Sequence, residues 1–261
     1  MEENTLEIVA SYCTDVGNRK KVNQDSLCLK SIKYGEYTIT MAVVCDGMGG
    51  LEQGEVASAS VIRAFVTWFD DSLPELCREG LTFKKVKEQW NKLVLECNEQ
   101  LILYGDSMGK KLGTTLTAVL IADEQGMYVL HVGDCRLYEI KNEIRQLTED
   151  QTLVELQVKR GLLTREQAKK DPRQNIILQC IGDTPNVKFE EYLFRVEHEC
   201  TYLICSDGFR HKISEQEMQT YLSPLELSKE EKIYENARFL VDLCKSRKEQ
   251  DNISVIVIRT L

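Results

Sequence analysis

The segment Tyr37–Gly47, with the sequence YTITMAVVCDG, is the most strand-like stretch of this 261-residue chain. It is rich in β-branched and apolar residues, and Met41 to Cys45 form an uninterrupted apolar run, which is typical of a buried strand. The run is followed by Asp46 and Gly47. The sequence therefore predicts a strand over residues 37–45 with a carboxylate at its end.

Further strands and helices are predicted on both sides of this segment. Short apolar runs predict strands at 6–14, 26–33, 112–122, 127–132, 135–140, 187–195, 200–205 and 252–259. Apolar residues at i, i+3 and i+4 predict helices at 54–70, 82–104, 214–222 and 229–246, and residues 149–170 indicate a polar, helical excursion. Several strands follow one another without an intervening helix. This order favours an α+β fold of packed sheets with helices outside over alternating βαβ units.

Composition indicates an ordinary globular protein that is expected to be soluble and cytoplasmic. Hydrophobic residues make up 43% and charged residues 29% of the chain, and its length is compatible with one domain spanning residues 1–261. The net charge of −9 argues against a nucleic-acid or anionic-membrane partner, since either favours a basic face. The sequence has neither a signal-peptide core nor an apolar run near the roughly 18 residues of a membrane helix.

Ten cysteines are scattered along the chain without a C-x-x-C pair. Several of them lie inside apolar runs, such as Cys45 after Val44. This usage predicts buried thiols in a reducing compartment and disfavours both a disulfide framework and a zinc site.

Four aspartates stand out by their position beside predicted strands: Asp46, Asp207, Asp251 and Asp25. Each site taken alone is compatible with a simple turn, since Asp and Gly are common there. Four such carboxylates, three of them at the ends of strongly apolar runs, are however costly unless something compensates their desolvation and mutual repulsion. Divalent cations do this, and all-oxygen ligation selects Mg²⁺ or Mn²⁺. Gly47 would let its carbonyl approach the same ion.

Seven segments, in this order, resemble the type-2C protein phosphatase family, the metal-dependent protein phosphatases, in its compact bacterial form. The matching segments are residues 14–17 through 23–25, 44–50 with 54–58, 113–115, 132–136, 147–150 to 178, 205–209 and 251–254. They span nearly the whole chain. Any one of these motifs is weak, whereas all of them in order are specific.

This resemblance implies a central β-sandwich of two antiparallel sheets flanked by helix pairs, in α-β-β-α layers, with a binuclear metal centre at one edge. Asp46 would bridge both ions, Gly47 would contribute its carbonyl to one, and Asp207 and Asp251 would bind the other. Asp25 would orient the attacking water, and Asp134 resembles the aspartate that helps to hold a third, weaker ion. Residues 149–181 match the family's flap beside the active site.

The activity implied is hydrolysis of phosphoserine and phosphothreonine in proteins. Two cations about 3.5–4 Å apart lower the pKa of a water between them and neutralise the phosphate oxygens, so no protein nucleophile is required. The resemblance also implies phosphorylated proteins as partners, including a Ser/Thr kinase that the enzyme opposes in signalling, and a monomeric enzyme.

Three positions depart from the family pattern. Lys20, with Arg19 beside it, stands where an arginine usually grips the substrate phosphate, and lysine lacks the bidentate fork. The alternative is that residues 19–21 form a solvated basic turn. Leu51 replaces a histidine that is a candidate proton donor. His211 stands where an aspartate for the third ion is expected, and it is either an alternative general acid or simply exposed. His131 and His198 are expected to be a strand and a turn histidine.

Two other functions compete with this one. A thiol phosphatase needs a Cys-x5-Arg loop, and only four residues separate Cys205 from Arg210. A catalytically weak or non-enzymatic phosphoprotein-binding member of the same fold remains an alternative, although such proteins normally lose the metal-binding aspartates, and Asp46, Asp207 and Asp251 are all present.

Overall fold

Strand β3 (Tyr37–Gly49) lies inside a six-stranded antiparallel sheet. The computed structural model describes residues 6–35, 37–49, 53–122, 126–227 and 229–261. The strand order is β2-β3-β5-β6-β9, and β4 pairs with the end of β3. The strands are β2 (Asp25–Tyr34), β3 (Tyr37–Gly49), β4 (Leu112–Thr114), β5 (Leu116–Ala122), β6 (Gly126–Val132) and β9 (Glu190–Phe194).

The remaining strands form a second antiparallel sheet, which contains both ends of the described chain. Its order is β1-β11-β10-β7-β8. The strands are β1 (Ile8–Asp15), β7 (Arg136–Ile140), β8 (Ile144–Gln146), β10 (Cys200–Cys205) and β11 (Ile253–Thr260). All eight residues of β11 are buried, because β1 and β10 flank it and an apolar cluster packs on each of its faces.

Helices cover the outer face of each sheet. On the six-stranded sheet lie α1 (Gly54–Thr67), a π-helical turn (Trp68–Ser72), α2 (Leu73–Arg78) and α3 (Phe83–Met108). On the five-stranded sheet lie α6 (Asp207–Arg210), α7 (Glu215–Leu222) and α8 (Glu230–Ser246), while α4 (Leu153–Lys159) and α5 (Arg165–Ala168) lie between β8 and β9 in sequence. The hydroxyl of Thr82 caps α3 by accepting from Lys85 N–H, and Gly109 ends it in the left-handed conformation.

Three apolar clusters account for the layers. Between the sheets, Val44 and Ile121 pack with Ile204 and Ile256. The outer face of the six-stranded sheet packs on α1 and α3, and that of the five-stranded sheet packs on α7 and α8. The predicted α+β sandwich of two antiparallel sheets between helix layers is therefore confirmed.

The element predictions were wrong in a few places, each for a local reason. Strand β3 does not end before Asp46 but runs to Gly49, because β4 supplies pairing partners for Gly47–Gly49. The strand predicted at 112–122 is split at Thr115 into β4 and β5. Helix α2, strand β8 and helix α6 were not predicted. The excursion at 149–170 contains only two short helices, α4 and α5.

Candidate active site

Asp25 and Asp46 face each other across the β2–β3 ladder at one edge of the sandwich. Ser206, from the other sheet, donates its hydroxyl to Asp25 Oδ2 at 2.9 Å. The same hydroxyl oxygen accepts the Ser254 N–H at 3.0 Å. These bonds tie the two sheets together at this edge and fix the Asp25 carboxylate.

Asp207 and Asp251 are brought to the same edge by the pairing of β10 with β11. Asp207 is the first residue of α6, directly after Ser206, whose N–H donates to Ser254 O at 3.0 Å. Asp251 lies two residues before β11. The segments touch, since a Cβ on Gly208 would lie 2.1 Å from the carbonyl oxygen of Asn252. Only glycine permits this contact without a backbone shift.

The backbone around Asp46 is held on both sides. Its N–H donates to Thr115 Oγ1 at 2.9 Å, and its carbonyl oxygen accepts from Thr115 N at 2.9 Å and from Thr114 Oγ1 at 3.0 Å. The next N–H, that of Gly47, donates to Gln24 O at 3.1 Å. The Asp46 carboxylate therefore projects from a rigid backbone.

The pKa values indicate mutual repulsion among these carboxyls. Burial raises the pKa of Asp25 to about 7, against the hydrogen bonds from Ser254 and Ser206, and the charges of Asp207 and Asp251 add to the rise. Burial and then the charge of Asp25 raise the pKa of Asp46 well above its usual range, with Asp207, Asp134 and Asp251 also contributing. Burial raises the pKa of Asp207 to about 6. The five aspartates therefore share one region of strong negative potential.

Several carboxylate oxygens in this region are buried without a hydrogen-bond partner in the described part of the chain, which favours binding of a cation. Among the described residues, the buried Asp25 Oδ1, Asp134 Oδ1 and Asp207 Oδ1 have no hydrogen-bond partner. A buried, unpartnered carboxylate oxygen is costly, and a hard divalent cation removes that cost. Within the described segments no three His, Cys, Asp or Glu side chains are arranged to enclose one ion. Mg²⁺ normally keeps several waters and takes only one or two carboxylates, so the residues present fit an ion of this type.

Asp134 is paired with a buried cation of the chain itself. Arg210 Nη2 lies 2.7 Å from Asp134 Oδ2, and the two side chains are only 13% and 2% exposed. Burial raises the pKa of Asp134 to about 6, and the charge of Arg210 is the main opposing influence. The aspartate expected to help hold a third ion is thus ion-paired to this chain's own arginine.

The predicted phosphate-binding residues lie beside Asp251. Lys20 Nζ is 3.0 Å from Asp251 Oδ1, and both side chains are about two-fifths exposed. Arg19 Nη1 donates to Gln250 Oε1 at 2.9 Å in an exposed position. The turn at residues 19–21 is therefore solvent-accessible, and Lys20 in it contacts the carboxylate cluster. Phosphate binding by Lys20 and Arg19 stays a prediction.

The three histidines have different surroundings. The exposed alternative for His211 is wrong, because its side chain is only 21% exposed and its Nε2 lies 3.7 Å from Asp207 Oδ2. Burial, and then the charge of Arg210, lower its pKa, so the ring is mainly neutral at pH 7. His131 is a buried histidine of β6, bonded to Thr117 Oγ1, and His198 is an exposed histidine bonded to Leu261 O, as predicted. Gly50 and Leu51 lie outside the described residues.

Residues 149–181, the predicted flap, are attached to the six-stranded sheet at both ends. At one end, Gln151 N–H donates to Gly133 O and Gly133 N–H donates to Gln151 Oε1, both at 2.8 Å. At the other end, Thr114 and Ile181 exchange two backbone hydrogen bonds of 2.9 Å. The segment between these attachments lies largely at the surface, with Leu162 66% exposed.

The cysteines are unpaired thiols, and nine of the ten are buried. Burial raises the pKa of Cys205 to about 12, so this residue is a poor nucleophile. This agrees with rejecting a thiol phosphatase. Separately, none of the helices in the described segments combines the length and the apolar character needed to cross a membrane.

Sequence reasoning missed the residues that hold the aspartates in place. Ser206, Asn252 and Thr115 are buried polar residues whose hydrogen bonds join the segments that carry Asp25, Asp207 and Asp46. The Asn252 side chain accepts from Gln24 N and donates to Val16 O, both at 2.9 Å. Ser206 and Asn252 directly adjoin predicted aspartates, which was the available signal. The role of Arg210 had no local signal.

Comparisons with known proteins agree with this geometry. The family model described as Protein phosphatase 2C matches residues 17–241. The serine/threonine phosphatase Stp of Listeria monocytogenes is 30% identical over 253 residues, covering 95% of this chain and 94% of its own. The protein phosphatase PhpP of Streptococcus pneumoniae is 32% identical over 253 residues, covering 95% and 96%.

Solved structures are similar as well. The S. agalactiae serine/threonine phosphatase superposes with a TM-score of 0.84 at 27% identity, covering 97% of this chain and 99% of that one. The catalytic domain of the serine/threonine protein phosphatase PstP, in complex with two manganese ions, gives a TM-score of 0.78 at 27% identity, covering 98% and 100%.

Proposed function

This chain is a serine/threonine phosphatase of the protein phosphatase 2C family, and we propose that it removes phosphate from phosphoserine and phosphothreonine with the help of two Mn²⁺ or Mg²⁺ ions. The observation that carries the metal part is the crowding of buried carboxyls at the edge shared by the two sheets, where Asp207 Oδ1 has no hydrogen-bond partner among the described residues. The manganese found in the similar PstP structure supports it.

Four residues of this chain would hold the ions. Asp46 would bind both, the Gly47 carbonyl would bind one, and Asp207 and Asp251 would bind the other. Bound there, two such ions lower the pKa of a water, align it with phosphorus and neutralise the phosphate oxygens. Thr115 holds the backbone of Asp46 and Ser206 holds the carboxylate of Asp25, so little reorganisation of these two residues would accompany catalysis.

Asp25 would orient the attacking water. Its carboxylate has one oxygen held by Ser206 and one oxygen without a partner among the described residues. The free oxygen is available to accept a hydrogen bond from the water, and the occupied one fixes the plane of the carboxylate. Asp25 is a positioning residue in this scheme.

Lys20 would bind the phosphate of the substrate, with Arg19 beside it. In the structure its ammonium group lies on Asp251, so the phosphate would be drawn to the same place as the ions. A lysine acts as a point charge and contributes less geometric selection than an arginine fork.

Phosphorylated proteins are the substrates of such an enzyme, and we infer that a Ser/Thr kinase of the same signalling system is among them. We further infer a single phosphatase domain that acts as a monomer in the cytoplasm. The net charge of −9 and the ten unpaired cysteines support a reducing compartment without an anionic surface as partner.

Phosphate release from a phosphothreonine peptide, measured after removal of metal and after addition of Mn²⁺ or Mg²⁺, tests the proposal. We expect activity only with added ions, and none in Asp46→Asn. Full activity in excess chelator would overturn the metal mechanism. A chain that binds Mn²⁺ and phosphopeptide without turnover would support the catalytically weak alternative.

A further inference from the structure

Arg210 is a buried cation placed inside the carboxylate cluster by the chain itself. It ends helix α6, three residues after Asp207, and its Nη2 atom donates to Asp134 Oδ2 at 2.7 Å. Its side chain is 13% exposed, and its Nε has no partner among the described residues. Burying a guanidinium is costly unless nearby carboxylates compensate its charge, and Asp134 does so here.

A second arginine near the site, Arg136, pairs with a different carboxylate. Arg136 binds Asp150 in a bidentate manner, with Nε–Oδ1 and Nη2–Oδ2 distances of 2.8 and 2.6 Å, and its Nη1 donates to the Tyr138 hydroxyl at 2.9 Å. Arg136 and Asp150 therefore satisfy each other. Arg210 donates to Asp134, so the two arginines form hydrogen bonds with different carboxylates.

The charge of Arg210 extends beyond its partner. It lowers the pKa of Asp207 as well as that of Asp134, in each case against the larger opposing influence of burial. It also lowers the pKa of His211, which follows it in sequence, after burial. Arg210 thus stabilises negative charge at the part of the cluster where a third cation would do the same.

A divalent ion at Asp134 would meet this guanidinium directly. Arginine remains protonated at any pH that a protein tolerates, so the repulsion does not titrate away. The ion would also have to displace a short charge-assisted hydrogen bond from a site that offers Arg210 little solvent to move into. The buried Asp134 Oδ1 has no hydrogen-bond partner among the described residues, but an ion on this oxygen would still lie beside the positive charge of Arg210.

We propose that Arg210 takes the place of a third divalent ion, so that the wild-type chain binds two ions and holds Asp134 with its own side chain. This rests on the proposed two-ion function, which it refines. The tethered cation is present at every metal concentration. Asp134 is then a structural and electrostatic partner of Arg210, not a metal ligand.

Counting bound Mn²⁺ per chain tests the inference without relying on activity. The signal of free Mn²⁺ in electron paramagnetic resonance gives the number of bound ions as Mn²⁺ is titrated into the millimolar range. We expect two ions for the wild type. Arg210→Ala should gain one further, weaker ion, and adding Asp134→Asn to that variant should remove it again. Arg247→Ala, which removes an exposed arginine paired with Glu217, is the matched control and should bind two ions.

Two further variants separate charge from shape. Arg210→Lys keeps the positive charge and should still bind two ions. Arg210→Met keeps an unbranched stem without the charge and should bind three, which also covers the case that Arg210→Ala does not fold. A third ion in the wild type, or only two in both Arg210→Ala and Arg210→Met, overturns the inference while leaving the two-ion function intact. Failure of the wild type to bind two ions would instead count against the proposed function.

Discussion

Lys20 Nζ lies 3.0 Å from Asp251 Oδ1, although nearly the whole chain separates these residues in sequence. The contact joins the residue proposed to bind phosphate to one proposed to bind metal. A divalent ion on Asp251 would weaken this ion pair and free the ammonium group for the substrate. The first prediction follows from this relationship.

Substitution of Lys20 should change substrate binding more than turnover. A hydrogen bond to a charged group contributes about 1.5–3 kcal/mol, and partial exposure of Lys20 reduces this to about the 1.4 kcal/mol of a tenfold effect. Lys20→Ala should therefore raise KM for a phosphothreonine peptide about tenfold. Lys20→Arg should lower KM, since the guanidinium grips phosphate with two donors. Lys21→Ala, one residue away and exposed, should leave KM unchanged. An unchanged KM in both Lys20 variants would refute its role in phosphate binding.

Asp46 and Asp207 should be essential for turnover and unfavourable for the stability of the metal-free chain. Asp46→Asn and Asp207→Asn should lower kcat by roughly 1,000-fold or more, equivalent to about 4 kcal/mol of the barrier. In excess chelator the same variants should unfold at a higher temperature than wild type, because each removes a carboxyl whose ionised form is disfavoured by burial and by the neighbouring carboxyls. Asp106→Asn, on the exposed face of α3, should alter neither quantity.

This prediction has a specific contrary outcome. If Asp46→Asn loses activity and is also less stable than wild type in chelator, then the contacts of the Asp46 carboxyl stabilise the fold by more than repulsion from its neighbours destabilises it. Thermal unfolding followed by circular dichroism distinguishes the two results.

Stabilisation by metal should increase with pH. The pKa of Asp25 is about 7 and those of Asp134 and Asp207 are about 6 in the folded chain, against 3.8 for the free carboxyl. Between these values the folded, metal-free chain binds more protons than the unfolded chain, so its stability falls as pH rises through that window. Ions must displace the protons that remain on their ligands, so binding is weaker at the acidic end.

The measurement is the difference in Tm with and without Mn²⁺ at pH 5.5 and at pH 8. We expect a larger difference at pH 8, with each kcal/mol of stabilisation raising Tm by roughly 2–4 °C. The lowered pKa of the buried His131 destabilises the folded chain in acid whether or not metal is present, so the difference largely cancels it. A metal-induced shift of equal size at both pH values would contradict the proposed binding of an ion by Asp207, the one ligand among these three carboxyls.

Gly54 should not tolerate even a methyl group. A Cβ there would lie 2.5 Å from the carbonyl oxygen of Gly47, and a Cβ on Gly47 would lie 2.2 Å from that of Gly54. Both contacts involve backbone, which cannot swing aside as a side chain does. Gly54→Ala should destabilise the chain by about 1–3 kcal/mol and lower activity by shifting the Gly47 peptide, as measured by urea unfolding and kcat.

Gly80→Asn is the control for this substitution. A Cβ at Gly80 meets nothing within 4 Å, and its φ of +83° is in a region that asparagine tolerates. Its unfolding midpoint should stay near that of wild type. Equal stability of Gly54→Ala and wild type would show that α1 can move away from β3 at little cost.

The sequence predicted the elements well where the apolar pattern was local. Strand β3 and helices α3 and α8 follow directly from their periodicity. Strand β8 escaped because three residues, of which two are exposed, carry no periodic signal. The extension of β3 to Gly49 depends on pairing with β4, more than sixty residues later, which no local pattern encodes.

The candidate site was predictable only where its residues carry a local sequence signal. The aspartates were found because a carboxylate beside an apolar run is unusual in itself. The ion pair of Arg210 with Asp134 was not found, because its two members are separated by 76 residues and each looks ordinary alone. They come together because β10, which directly precedes α6, pairs with β7, which directly follows the segment of Asp134.

Residues 149–181 are anchored to the six-stranded sheet at both ends, independently of the residues between the two attachments. Its ends are fixed by Gln151 to Gly133 and by Ile181 to Thr114, and the Thr114 hydroxyl also bonds Asp46 O. Residues between these anchors can vary in length and polarity while the hydrolytic residues keep their positions. A change in this surface stretch is therefore expected to leave the chemistry of the site in place.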